Sequence, residues 1–100
     1  MPTIQLRRYT FEPGKLAPFL DWFPLLTPVR EAHGFRVLFG YADRKAETFT
    51  WAVEHPGDAA AFAAAEQTYN ASAERAEVFA SFPAGIARQE VGLVDDVVAR

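Results

Sequence analysis

Residues 35 to 55, Phe-Arg-Val-Leu-Phe-Gly-Tyr-Ala-Asp-Arg-Lys-Ala-Glu-Thr-Phe-Thr-Trp-Ala-Val-Glu-His, restrict the possible folds more than any other stretch of the chain. Two runs of aromatic, aliphatic and β-branched residues flank the polar Asp43-Arg44-Lys45-Ala46, the pattern of a β-hairpin. If Asp43 faces Glu47 across a three-residue loop, Tyr41 lies opposite Phe49, Phe39 opposite Trp51 and Val37 opposite Val53. One face of the hairpin then becomes a continuous aromatic and aliphatic surface, and Arg36 meets Glu54 as a complementary charge pair. A slip of one residue would scatter both sets. A chain with this hairpin at its centre must bury an aromatic sheet face.

The flanking segments supply elements to bury it. Residues 3 to 11 read as a first strand that ends at the turn signal Glu12-Pro13-Gly14. From Lys15 the period changes: Leu16, Phe19, Leu20 and Phe23 follow the i, i+3, i+4, i+7 spacing of one helical face. Pro18 is tolerated in the first turn, whereas Pro24 and Pro28 each remove an amide donor and predict a break near residues 23 to 27. Thr27-Pro28 then reads as N-cap and first helical residue of a short segment through His33, stopped by Gly34. Asp58 caps a second, alanine-rich helix with Phe62, Ala65 and Tyr69 inward. Helix resumes from Ser72 to Phe82 with Ala76, Phe79 and Phe82 inward, and Pro83 and Gly85 stop it before a last strand over residues 86 to 94.

The order strand, helix, strand, strand, helix, strand is that of a ferredoxin-like α+β fold, βαββαβ, with a four-stranded antiparallel sheet and both helices on one face. The first strand presents Ile4 and Leu6 one way and Tyr9 and Phe11 the other. A sheet apolar on both sides must be covered on both sides, and a second copy of the chain is the simplest cover.

Composition narrows the class. One hundred residues, half of them hydrophobic and with nine Phe, suit a single folded domain over residues 1–100. A net charge of -3 without any block of like charge gives no footprint for nucleic acid or for an anionic membrane. No window approaches the length of a membrane span, no signal-peptide core is present, and there is no cysteine, so a cytoplasmic protein is expected. Two histidines without convergent carboxylates fall short of a metal site, and neither a metal nor a cofactor is implied.

The segments Gln5-Leu6-Arg7-Arg8-Tyr9-Thr10, Pro13-Gly14-Lys15-Leu16 and Pro28-Val29-Arg30-Glu31-Ala32-His33-Gly34-Phe35, followed by Gly40-Tyr41, the Trp51 strand and an alanine-rich helix, resemble the NIPSNAP group of the dimeric α/β barrel superfamily. The resemblance spans Gln5 to Val94, although the Tyr69 to Phe82 region lacks the tryptophan-containing segment typical of that group. It implies a homodimeric α/β barrel in which two sheets pack face to face. It also implies that a small apolar or aromatic molecule sits between sheet and helices. Relatives in the superfamily include cofactor-independent monooxygenases, isomerases and dehydratases.

Candidate site residues follow from chemistry. His33, in a last helical turn before glycine, is placed either as a general base or as a cap on the helix's free carbonyls, and its position favours the cap. His55 at a strand end and Tyr41 are the candidate catalytic groups, for moving a substrate proton. Trp51 and Tyr9 combine an apolar ring with a hydrogen-bonding tip that would orient a ligand. Arg7 and Arg8 alternate across the first strand, so one points inward and needs a partner, either a carboxylate such as Glu90 or an anionic ligand. Arg8 is taken as that ligand contact. The alternative to ligand binding is a non-catalytic interaction or structural protein whose layer is filled by its own side chains.

Overall fold

The computed structural model describes residues 2–98. The chain forms β1 (Thr3–Phe11), α1 (Leu16–Trp22), a 3-10 turn (Phe23–Leu25), α2 (Thr27–Ala32), β2 (Arg36–Asp43), β3 (Thr48–His55), α3 (Ala59–Asn70), α4 (Ala73–Phe79) and β4 (Ile86–Val94). The strands make one antiparallel sheet in the order β2-β3-β1-β4. This is the expected ferredoxin-like α+β topology, with each helical crossover broken in two.

The breaks have local causes. Pro24 has no N–H to donate and disfavours helix at Phe23, so α1 ends at Trp22 and the chain tightens into the 3-10 turn before restarting. Leu26, not Thr27, is the N-cap of α2: its backbone is already helical (φ -81°, ψ -38°), and the Thr27 hydroxyl turns back to the Pro24 carbonyl at 3.5 Å. The C-terminal signal acts as expected, because Gly34 takes a left-handed φ of +87° directly after the cap residue His33. His33 Nδ1 lies 3.0 Å from the Val29 carbonyl oxygen, and since a carbonyl only accepts, this nitrogen carries the proton. The side chain therefore satisfies a free carbonyl of α2. Asp58 caps α3 through Ala61 N–H, and Ser72 caps α4 through Arg75 N–H. In α4 Val78 and Phe79 pack against the core and Arg75 is half-buried, whereas Ala76, expected inside, is exposed.

All helices cover one sheet face. Tyr9, Phe11, Phe49, Trp51 and Val53 point into the layer from β1 and β3 and meet Leu16, Phe19, Trp22, Leu26, Phe35, Phe62 and Tyr69. Phe19, 1% exposed, is its hub. Its ring centroid lies within 5.8 Å of those of Tyr9, Phe11, Trp22, Phe23 and Phe49, mostly edge-on or tilted, the geometry that ring quadrupoles favour.

The hairpin departs from its expected register in one respect. Arg36 opposes Glu54 and Val37 opposes Val53 as anticipated, but Leu38 is an extra residue on β2 and the pairing shifts there. Beyond this bulge Phe39 opposes Ala52, Gly40 opposes Trp51, Tyr41 opposes Thr50 and Asp43 opposes Thr48. The loop is correspondingly one residue longer: Asp43 Oδ1 accepts from Lys45 and Ala46 N–H at 3.1 and 3.0 Å, and Glu47 closes the loop in the left-handed region at φ +53°. Phe39 and Tyr41 thus stand on the face away from the helices, stacked 5.0 Å apart, instead of beside Trp51 and Phe49. Their inward place is taken by Gly40, where a Cβ would come within 2.9 Å of the Phe49 ring. The far face now carries Ile4, Leu6, Phe39, Tyr41 and Ala52, so the sheet is apolar on both sides, as the first strand implied.

Replacing the hub is expected to be costly. Phe19→Ala should lower the unfolding free energy by about 3–5 kcal/mol in urea titrations followed by circular dichroism, the range for emptying a packed aromatic site.

Candidate functional site

Alternation along β1 places Thr3, Gln5, Arg7, Tyr9 and Phe11 on the helix side, because their partners Val53, Trp51 and Phe49 on β3 are core residues. The inward arginine is therefore Arg7. Arg8 points to the far face, is exposed, and lies across from Glu90 in register. The carboxylate that meets the inward arginine is Glu66 on α3, not Glu90, whose own ionic contact is with Arg88 at 3.6 Å.

Around Arg7 the helix-side layer changes from hydrocarbon to a compact polar cluster. Arg7 donates from Nε to Gln5 Oε1 at 2.8 Å, from Nη1 to the Tyr9 hydroxyl at 3.4 Å and from Nη2 to Glu66 Oε2 at 3.2 Å. Arg30 on α2 reaches the same oxygen with both terminal nitrogens, each at 3.3 Å. Two guanidinium groups thus share one carboxylate, and three donors converge on a single oxygen at distances longer than the roughly 2.7–2.9 Å of strong charge-assisted bonds. Arg30 is 3% exposed, and the loss of hydration pulls its pKa below the ordinary arginine value, opposed in part by Tyr69 and Glu66.

Aromatic faces enclose this charge. The Arg30 guanidinium carbon lies 4.2 Å from the Tyr69 ring centre, 4.9 Å from Phe35 and 5.6 Å from Trp51, and that of Arg7 lies 5.8 Å from Trp51. Burial pushes the Tyr69 phenol above its usual value, so it remains neutral near pH 7. Among the described residues three buried donors have no hydrogen-bond partner: Arg30 Nε and Trp51 Nε1 in this cluster, and Arg75 Nε, whose guanidinium lies over the Phe79 and Tyr69 rings. The other indole behaves differently, since Trp22 Nε1 donates to the Val78 carbonyl at 3.0 Å. A buried N–H normally finds an acceptor, so the open donors beside Trp51 stand out.

Of the ligand residues expected from the sequence, Trp51 and Tyr9 fall in this cluster, while Arg8 lies on the opposite face and Arg7 takes its place. The two catalytic candidates are not brought together. Tyr41 is 70% exposed on the far side of the sheet, with Trp51 on the helix side. His55 shares the helix side with Trp51 but lies at the strand end between Phe35 and Phe62, its Nδ1 accepting from Gly57 N–H at 3.1 Å. Arg30 and Glu66 were not anticipated. The signal was present: Arg30 is four residues after the buried Leu26, and Glu66 is four after Phe62 and three before Tyr69, so both lie on core-facing helical surfaces. Among the described residues no group of three or more His, Asp or Glu is placed to hold a metal ion, and no helix is long and apolar enough to cross a membrane.

Solved structures place the fold. A NIPSNAP domain protein from Burkholderia xenovorans superposes with a TM-score of 0.79 at 14% identity, covering 97% of this chain and 95% of that one. A NIPSNAP family protein of unknown function from Agrobacterium tumefaciens gives 0.81 at 9% identity over 93% and 86% of the two chains. An antibiotic biosynthesis monooxygenase gives 0.64 at 18% identity over 97% and 99%. The chain thus has the ferredoxin-like fold of NIPSNAP proteins, which the monooxygenase type shares; at these identities the likeness concerns the fold and not the chemistry. No family model matches the sequence, and no curated protein matches it either.

The charge arithmetic of the cluster is open to measurement. Glu66→Ala, which leaves Arg30 buried without its anion, should lose about 3 kcal/mol or more of stability, while Arg30→Met combined with Glu66→Leu should lose much less. Thermal melts of the single and double variants decide the point, and a double variant as unstable as Glu66→Ala would contradict it.

Proposed function

We propose that this protein binds a small molecule between sheet and helices, at the cluster formed by Arg7, Arg30, Trp51, Tyr9 and Glu66, and does so as a homodimer of the α/β barrel type joined through the far sheet face. The observation that carries the ligand reading is the pair of unpartnered donors, Arg30 Nε and Trp51 Nε1, beside two cations that share one anion. A layer built only for packing would gain from hydrocarbon at these positions, since burying a guanidinium is costly even when it is paired. The likeness to a monooxygenase supports the location of the site only as an analogy of fold. The dimer reading is supported by the far sheet face, where the half-buried Ile4, Leu6 and Phe39 lie beside the exposed Tyr41 with no helix over them, the kind of apolar patch that monomers rarely leave open.

Two measurements bear on these readings. Light scattering should give a mass of about 22 kDa, twice the 11.1 kDa of the chain, and Leu6→Lys should shift it to that of the single chain. A wild-type mass of one chain would overturn the dimer. For the site, the Trp51 indole N–H resonance, assigned by its loss in Trp51→Phe, should move on titration with benzyl alcohol, phenylacetamide or phenylacetate. An indole signal untouched by all three would leave the layer as a self-filled core and return the protein to the structural class.

A further inference from the structure

Glu66 occupies an unusual place in the cluster. Among the described residues it is the one anion shared by the two arginines, yet it is held through one oxygen at 3.2–3.3 Å, and its side chain, unlike that of Arg30, is partly exposed. It lines an open hollow along α3 beside the small side chains of Ala60, Ala63 and Ala64, so there is room for it to swing outward. On the strand side the surroundings are apolar. Val91 and Leu93 of β4 pair in register with Arg7 and Gln5, so they stand on the same helix-side face, yet they are 47% and 56% exposed. The partly exposed Arg7, with Arg30 buried behind it, thus stands beside a strip of exposed hydrocarbon.

We propose that Glu66 is an internal stand-in for the carboxylate of the true ligand, and that the site takes a small apolar monocarboxylic acid. The ligand carboxylate displaces Glu66 toward solvent and is gripped by the Arg7 and Arg30 guanidinium groups, while its apolar body lies over Val91 and Leu93. A free carboxylate can turn to present both oxygens to the two forks, which the helix-tethered Glu66 does not do. Specificity for one negative charge follows from the count of two cations with Glu66 remaining nearby. This inference rests on the ligand-binding reading above and adds the chemical class of the ligand.

The test compares phenylacetate, its neutral isostere phenylacetamide and acetate, by calorimetry and by the Trp51 indole resonance. Phenylacetate should bind at least about tenfold tighter than phenylacetamide, on the scale of a charged hydrogen bond lost, and tighter than acetate, which lacks the apolar body. Glu66→Gln should strengthen phenylacetate binding by removing the competing anion, and Arg7→Met should weaken it about tenfold or more. Arg7→Met leaves Arg30 paired with Glu66, so the comparison survives if Glu66→Gln does not fold. Phenylacetamide binding as tightly as phenylacetate, or phenylacetate binding unchanged in Arg7→Met, would overturn the carboxylate inference while leaving a ligand site. Binding of none of these compounds, nor of benzyl alcohol, would overturn both.

Discussion

Removing a guanidinium from water sets the terms for much of this structure. Arg30 has almost no surface left, and an isolated buried cation costs several kcal/mol, so the elements around it must converge to compensate. Glu66 arrives from α3, Arg7 rotates to share it from β1, and the rings of Tyr69, Phe35 and Trp51 present their electron-rich faces. This single charge therefore ties α2 and α3 to the sheet, whose strands β1 and β3 are already joined by their own backbone ladder. The broken first crossover is part of the same solution. The restart at Leu26 is what begins α2, the helix that carries Arg30 to Glu66.

The layer has two halves with different physics. Around Phe19 it is an aromatic core in which shape alone decides, and each ring is held by several others. Around Arg30 it is electrostatic, with fewer satisfied partners than donors. Aromatic packing on one side supplies stability that offsets the cost of an imperfectly satisfied cluster on the other.

Much of the frame was legible in the residues. β1 and β4 have the expected bounds, Asp58 and Gly34 act as their types require, and the doubly apolar sheet follows from Ile4 and Leu6 against Tyr9 and Phe11. Periodicity and capping are local properties, and they read well. The register beyond Leu38 did not, because a bulge inserts one residue without any marker in composition, and the regular alternative also aligned aromatic residues with one another. The site was half legible for a related reason. Alternation shows that one of Arg7 and Arg8 turns inward, but which one depends on the sheet face that the helices choose, a tertiary fact. Arg30 was hidden in a segment whose prolines and glycine read as punctuation, so its side chain drew no attention.

The bulge at Leu38 acts as a change of phase within one strand. Up to Val37, β2 belongs to the protein's interior; from Phe39 on, its aromatic side chains address whatever lies outside. One inserted residue is enough to move two rings from the helix-side layer to the opposite sheet face, with no change in their chemistry. In descendants of this sequence, the length of β2 therefore decides which face its aromatic side chains occupy, and loss of a single codon there would send Phe39 and Tyr41 back toward the core.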